Sequence, residues 1–548
     1  MDDPSLLGGM GGSSGGDAGD KAGDTGGAGA SAFGFNPLDM LCSTILAMCS
    51  CCFVCVFIVI FIIMSLLGLI TFAKPTPADT VFEKWATVCD APHCAEVAKE
   101  IFSKNGAIGD AAVATLLCMG VTAPHLTGIG GGLMAVLYDK STMKIQALDA
   151  LGVSPKSVAP DKFSTNASAL KLGANAPIVP GALAGMKALH TKVGKLPWKD
   201  VFQPAIRLAK QGFTVGPHLA AALANHENVI NVSASLSWST IWSCYASHRL
   251  NGGQSIHRET LFTNLYILVS NCAIVLHAGF AKAILSVIAA SCGSLKKDDL
   301  SGYQPQWLDP VSSKIGGSQY IHSVPIPGAG VVLAVAVHAI TVQKRNERKE
   351  AASSPVATRV SRLLILTAFV EALKFALAIR PELGDSGDVK AYAPEEDLGG
   401  AHLTIVAPSG DAVSITSGLN GMFGSGFETS SGLLLNNYMD AFAKPGKQFN
   451  LDPSPANQLV PAKRPMTSMV PSIVTKSSLP SPLVGVFGGS GGLPAISAVA
   501  QASLLRKLGD VVTEKTIGSS ATGIVVTKTG SLLAPNDTRH VDGSRSGA

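Results

Sequence analysis

Apolar and polar positions are spread unevenly along the chain, and the contrast is sharpest at its start. Residues 1–40 are rich in Gly, Ala, Ser and Asp, with six Asp and one Lys. Such a segment buries too little apolar surface to offset the entropy of ordering, so it reads as a disordered acidic tail. Between residues 41 and 73 the pattern inverts. No charged side chain occurs there, and FVCVFIVIFIIMSLLGLITF supplies the roughly twenty apolar residues that cross ~30 Å of hydrocarbon. This predicts a transmembrane helix. Its position behind an acidic tail, without a basic flank or a small-residue cleavage site, favours a retained anchor over a removable signal. A second uncharged stretch, Leu261 to Ala281, contains Asn264, Asn271 and His277. Each is costly in lipid, so that stretch reads as buried core helix rather than a second span.

Downstream of the anchor, helical and strand-like periods alternate. EVAKEIFSKNGAIGDAAVATLLCMGV carries apolar residues at helical spacing and is followed by the glycine run GIGGG and the strand-like LMAVLYD. AHLTIVAPSGDAVSITS reads as two strands around Pro408-Ser409-Gly410. PMTSMVPSIVT and SPLVGVFGG read as further strands, leading into the helical AISAVAQASLLRKLG. Helices alternating with hairpins imply stacked layers of sheet and helix. The charged stretch QKRNERKEAASSP reads as a solvated helix end and loop.

Charge narrows the range of functions. Lys and Arg number 42 against 38 Asp and Glu, a net charge of +4, which is no nucleic-acid footprint. A mean hydropathy of +0.33 with only 6% aromatic residues fits an anchor plus a large Gly-rich globular part better than a polytopic bundle. Lys21 is remote from the span and Lys74 lies downstream of it, so basic residues say little about orientation. Cysteines say more. Cys42, Cys49, Cys51, Cys52 and Cys55 crowd the upstream end of the span, as palmitoylation sites on a cytoplasmic side or as small hydrophobes. Cys94 and Cys118 are the pair expected to bridge if the downstream side is oxidising. Asn166, Asn231 and Asn536 each open a glycosylation sequon. Together these favour a single-pass type II protein of the plasma membrane or secretory-pathway membranes, with its C-terminal domain outside or lumenal.

Motifs for cofactors are weak. Gly128–Gly132 fails to complete a dinucleotide fingerprint, because Leu133 takes the last glycine's place and a strand follows. Gly488–Gly492 formally satisfies G-x-S-x-G around Ser490, a serine-hydrolase alternative. Small residues match that pattern cheaply, and Gly11–Gly15 matches it in the tail. No zinc-protease or phosphate-loop motif occurs, so neither metal nor cofactor is expected.

Several segments together are more specific. APHLTGIGGGLMAVLYD, IVPGALAGMKALH with GKLPW, PIPGAG, HLTIVAPSGDAVSITSGLNGMFGSG, SGLLLNNYMDAF, KRPMTSMVPSIV and GGSGGLPAI resemble, in order and spacing, the gamma-glutamyltransferases, or glutathione hydrolases. The resemblance runs from about Cys89 onward. It implies an αββα N-terminal nucleophile hydrolase fold behind one transmembrane helix, and it agrees with the Cys94–Cys118 bridge. It also implies a precursor that cuts itself into two subunits, here a large-subunit-like region 85–399 and a small-subunit-like region 400–548. The second is shorter than the family's.

In that chemistry a threonine hydroxyl attacks the peptide carbonyl before it, and after scission attacks substrate with its own freed amine as base. The resemblance places the threonine at Gly400, before Ala401 and His402. Glycine has no side-chain oxygen. Thr404 shares the strand face but stands too far along it to substitute. The arginine that would grip the donor α-carboxylate falls at Leu151, and the two groups holding its α-amine fall at Tyr438 and Ala441. By the same resemblance, Asn420, Thr467 and Ser468 would supply polar contacts, with Gly491 and Gly492 as the oxyanion site. The leading expectation is a non-catalytic, structural or regulatory member, pairing with itself or a related chain. An active glutathione hydrolase taking glutathione or gamma-glutamyl compounds, and a serine hydrolase using Ser490, are the alternatives.

Overall fold

The computed structural model describes residues 80–163, 166–226, 255–256, 279–350, 369–380, 400–429, 432–444, 452–477, 482–505, 520–527, 529–534 and 544–548. The segment read as a membrane anchor, residues 41–73, and nearly all of 261–281 lie outside these. Among the described residues no helix is long and apolar enough to cross a membrane.

The compact unit from Asp79 to Ala548 is built on two antiparallel sheets. The strands are β1 (Thr80–Phe82), β2 (Ala86–Cys89), β3 (Gly132–Asp139), β4 (Lys144–Ala150), β5 (Phe213–Thr214), β6 (Ser255–Ile256), β7 (Gln306–Leu308), β8 (Val311–Lys314), β9 (Tyr320–Ser323), β10 (Ala401–Val406), β11 (Ala412–Gly418), β12 (Ser472–Thr475), β13 (Leu483–Ser490), β14 (Ser520–Val526), β15 (Leu532–Ala534) and β16 (Ser544–Gly547). The first sheet runs β1-β15-β14-β13-β12-β9-β8 and the second β16-β2-β10-β11-β3-β4-β7, while β5 and β6 pair apart. Strands from both sides of Gly400 enter each sheet.

Alternation along the strands sorts the core into layers. In β3, Leu133, Ala135 and Leu137 join a cluster with the helices α1 (Cys94–Ser103), α2 (Ile108–Thr122) and α3 (Ala182–Val193). Met134, Val136 and Tyr138 face the other way, into a cluster with Ile473 of β12, Val486 of β13 and Ile524 of β14. The outer face of the first sheet, with Ile321, Val474 and Phe487, packs on α4 (Gly330–Glu350) and α5 (Leu493–Leu505). The result is helix, sheet, sheet, helix: the αββα arrangement of N-terminal nucleophile hydrolases.

Two local readings are refined. The stretch from Glu96 to Val121 is two helices, because the backbone turns left-handed at Asn105, φ 61°. The buried Asp110 carboxylate then restarts the helix, accepting from Ala107 N at 2.8 Å and, in the GKLPW loop, from Lys195 N at 2.9 Å and Leu196 N at 3.0 Å. A disulfide joins Cys94 in α1 to Cys118 in α2. PMTSMVPSIVT forms a strand only over Ser472–Thr475. Upstream of it Pro465 and Pro471 lack a ladder N–H, and Thr467 N donates to Pro327 O at 3.0 Å instead.

Candidate active site

Gly400 is buried at the entrance to β10. Beyond it Ala401, Leu403 and Ile405 turn toward the helices, so by strand alternation His402 and Thr404 face the other sheet. A Cβ placed on Gly400 would stand 3.1 Å from Ser417 O and 3.6 Å from Thr416 Cγ2, so a side chain here requires neighbours to give slightly. Thr404 lies four residues on, about 13 Å of strand, and its hydroxyl points to Val88 O at 3.5 Å.

His402 stitches the two sheets. Its N–H donates to Asp90 Oδ2 at 2.8 Å. Ser414 Oγ donates to Phe487 O at 2.7 Å and accepts from Ser472 N at 3.1 Å. With its proton so committed, Ser414 accepts from His402 Nε2 at 3.3 Å, and Nδ1 accepts from Thr416 Oγ1 at 2.8 Å. Burial pushes the imidazole down to about 4, with Asp90 opposing. The ring lies so close to Gly488 that any Cβ there would overlap it. This first glycine of the G-x-S-x-G match is thus a packing site for His402, whose nitrogens are engaged by Thr416 and Ser414. Ser490 ends β13 in register with Ser520 and is 5% exposed. Gly491 and Gly492 follow at φ 97° and 74°, turning the strand into α5 through backbone that glycine adopts without strain.

The three positions expected to bind a zwitterionic donor share one apolar cluster. Leu151, Tyr438 and Ala441 are buried together with Met134, Ile178 and Met469. Near them Arg464 Nε stands 2.9 Å from Asp149 Oδ2, whose other oxygen accepts from Leu151 N at 3.0 Å. Burial raises the Asp149 carboxyl against the pull of Arg464. The guanidinium is therefore ion-paired with Asp149.

Asn420, Thr467 and Ser468 are all buried. Asn420 has φ 76°, and its Nδ2 donates to Asn437 O at 3.2 Å. Its Oδ1 has no hydrogen-bond partner among the described residues. Thr467 Oγ1 accepts from Met469 N at 3.3 Å, and Ala329 N donates to Met469 O at 3.0 Å. The Thr467–Ser468 segment is thereby docked on the PIPGAG loop. The glycine run is explained by close approach: a Cβ on Gly130, Gly131 or Gly132 would strike the carbonyl oxygen of Leu434, Gly418 or Leu151 respectively. Among the described residues no group of three His, Cys, Asp or Glu is placed to hold a metal. Asn166 is exposed, and its Oδ1 accepts from Ser168 Oγ at 2.6 Å. Asn231 and Asn536 lie outside the described residues.

Sequence reasoning missed the asparagine pair in SGLLLNNYMDAF. Asn436 Nδ2 donates to Gly130 O at 2.8 Å and its Oδ1 accepts from Ile178 N at 3.0 Å, while Asn437 Oδ1 accepts from Gly421 N at 2.7 Å. It also missed Asp149 with Arg464. The signal was present in the adjacent Asn residues and in KRPM, but their partners lie far away in sequence.

An αββα sandwich with a small residue at the head of an inner strand defines the class as N-terminal nucleophile hydrolase-like. A sequence model of gamma-glutamyltranspeptidase matches residues 94–393 and 386–517, and the chain belongs to that family. It is 32% identical over 461 residues to Scoloptoxin SSD14 of Scolopendra dehaani, covering 77% of this chain and 78% of that one. It is 30% identical over 462 residues to Glutathione hydrolase 3 of Arabidopsis thaliana, covering 77% and 70%. The crystal structure of cephalosporin acylase from Bacillus halodurans shares the fold at TM-score 0.67 and 21% identity, over 87% of this chain and 98% of that one.

Proposed function

We propose that the chain is a membrane-anchored gamma-glutamyltranspeptidase homologue that keeps the fold and has lost acyl transfer, acting as a structural or regulatory partner of itself or a related chain. Gly400 carries this reading: the position assigned to the nucleophile offers no oxygen to attack either the preceding peptide or a gamma-glutamyl donor. The apolar set Leu151, Tyr438 and Ala441 supports it, since a zwitterion buried against these side chains would lack both charged clamps. The uncharged span of residues 41–73, the cysteines at its upstream end and the exposed sequon at Asn166 support a type II topology with the folded part outside or lumenal.

The test is electrophoretic and enzymatic. Expressed with its anchor, the chain should run as one band. Release of p-nitroaniline from gamma-glutamyl-p-nitroanilide should not exceed that of a Gly400→Ala control. Two noncovalent subunits, or turnover above that control, would overturn the reading.

A further inference from the structure

The β8 edge of the first sheet carries a hydrogen-bonded chain of three side chains. Ser312 stands directly opposite His322 in the β8–β9 pair, and Thr475 of β12 lies one diagonal step along from His322. Ser312 Oγ is 2.7 Å from His322 Nδ1, and His322 Nε2 is 2.9 Å from Thr475 Oγ1. Thr475 gives its one hydroxyl proton to Ser477 O at 2.8 Å. Its oxygen therefore accepts from the ring. That puts the imidazole proton on Nε2 and leaves the Nδ1 lone pair facing the Ser312 hydroxyl.

The surroundings keep this polarity. His322 is 1% exposed, and burial pushes it down to about 4, so the ring is neutral at neutral pH. Ser312, by contrast, is exposed on an edge strand. A serine open to solvent, a neutral base behind it and a third group orienting that base are the parts of an activated nucleophile.

We propose that Ser312 is an acyl-accepting serine, with His322 taking its proton and Thr475 holding the ring. Ser312 Oγ attacks the carbonyl carbon of an activated ester and forms a new C–O bond. The bond to the leaving group breaks, and that group departs with the electron pair as its anion. The Ser312 proton passes to His322 Nδ1 and from there to solvent, leaving a serine ester; nothing is oxidised or reduced. Lys314 lies two residues along the strand and is likewise exposed, which favours a donor whose leaving group is anionic. This site shares no residue with the Gly400 region and stands or falls separately from it.

Other exposed serines provide the control. Ser103 and Ser286 donate to the backbone oxygens of Glu100 and Ala283, and Ser141 donates to the Asp139 carboxylate. With p-nitrophenyl acetate as the probe on the full chain, peptide mass spectrometry should find Ser312 acetylated roughly a hundredfold faster than these three, the low end for general-base assistance. His322→Gln should bring Ser312 down to their rate. Thr475→Val should slow it while Thr475→Ser, which keeps the hydroxyl, restores it; this pair decides the matter if the histidine variant does not fold. Equal acetylation of all four serines, or an unchanged rate in Thr475→Val, would overturn the assignment.

Discussion

Two buried regions differ in how their side chains are partnered. Around His402, polar side chains fill the interior: Thr416 and Ser414 hydrogen-bond the two ring nitrogens and Asp90 accepts from the backbone N–H. Around Leu151, Tyr438 and Ala441 the positions assigned to charged ligand contacts are apolar and share one cluster. The difference lies in where the partner resides. A buried polar group bonded within the protein is stable there, whereas one whose partner is a ligand costs its full desolvation when that ligand is absent. Asp90, Ser414 and Thr416 have their partner within the protein, whereas Leu151, Tyr438 and Ala441 carry no charge to offer a ligand.

The sharpest way to break this contrast is to return a charge to the apolar region. Leu151→Arg should destabilise by about 3–5 kcal/mol, the cost of a buried charge without a partner, because Asp149 is already engaged by Arg464. Urea denaturation would measure it. A neutral outcome would mean that the region still holds an arginine site, and the contrast would fail.

A smaller effect per group should come as pH falls from two buried histidines, His402 of the polar region and His322 beside the β8 edge. Burial lowers His402 and His322 from the usual 6.5 to about 4. Folding keeps both rings neutral, so on acidification the unfolded chain binds protons first. Stability from these groups is complete above pH 6.5, is lost between about 6.5 and 4, and is level below that. Each ring should account for ~3 kcal/mol. Urea midpoints across that range would show the slope, and His402→Gln, if folded, should remove about half of it. A midpoint independent of pH would place the two rings in wetter surroundings than the hydrogen-bond networks require.

How legible these regions were in sequence follows from the range of the interactions. The β10–β11 hairpin was readable because its alternation and its Pro408-Ser409-Gly410 turn are local. The departures at Gly400, Leu151, Tyr438 and Ala441 were readable by resemblance, each beside a motif that survives. The stitching was not. His402 meets Gly488, Asn436 meets Gly130 and Asp149 meets Arg464, all contacts set by how two sheets stack rather than by any local period. The extended segment around Thr467 was misread as strand for the same reason: its hydrogen bonds go to a distant loop.

Asn420 belongs to neither region cleanly, and it gives the finest test. It is a polar residue retained from the family pattern and is 1% exposed, yet its side chain is only half satisfied, through Nδ2 to Asn437 O. It also holds a left-handed backbone, φ 76°, which asparagine tolerates and glycine adopts freely. Asn420→Gly removes one hydrogen bond, worth about 1 kcal/mol, together with a buried oxygen lacking a partner among the described residues, and relieves the backbone. These effects oppose one another, so the change in stability should stay within about 1 kcal/mol by urea denaturation, far below that of Leu151→Arg. A loss of several kcal/mol would put Asn420 with His402, among the residues the fold needs. Near-neutrality would mark it as a position whose side chain the fold does not require, since an uncharged amide in the interior carries a much smaller desolvation penalty than a charge.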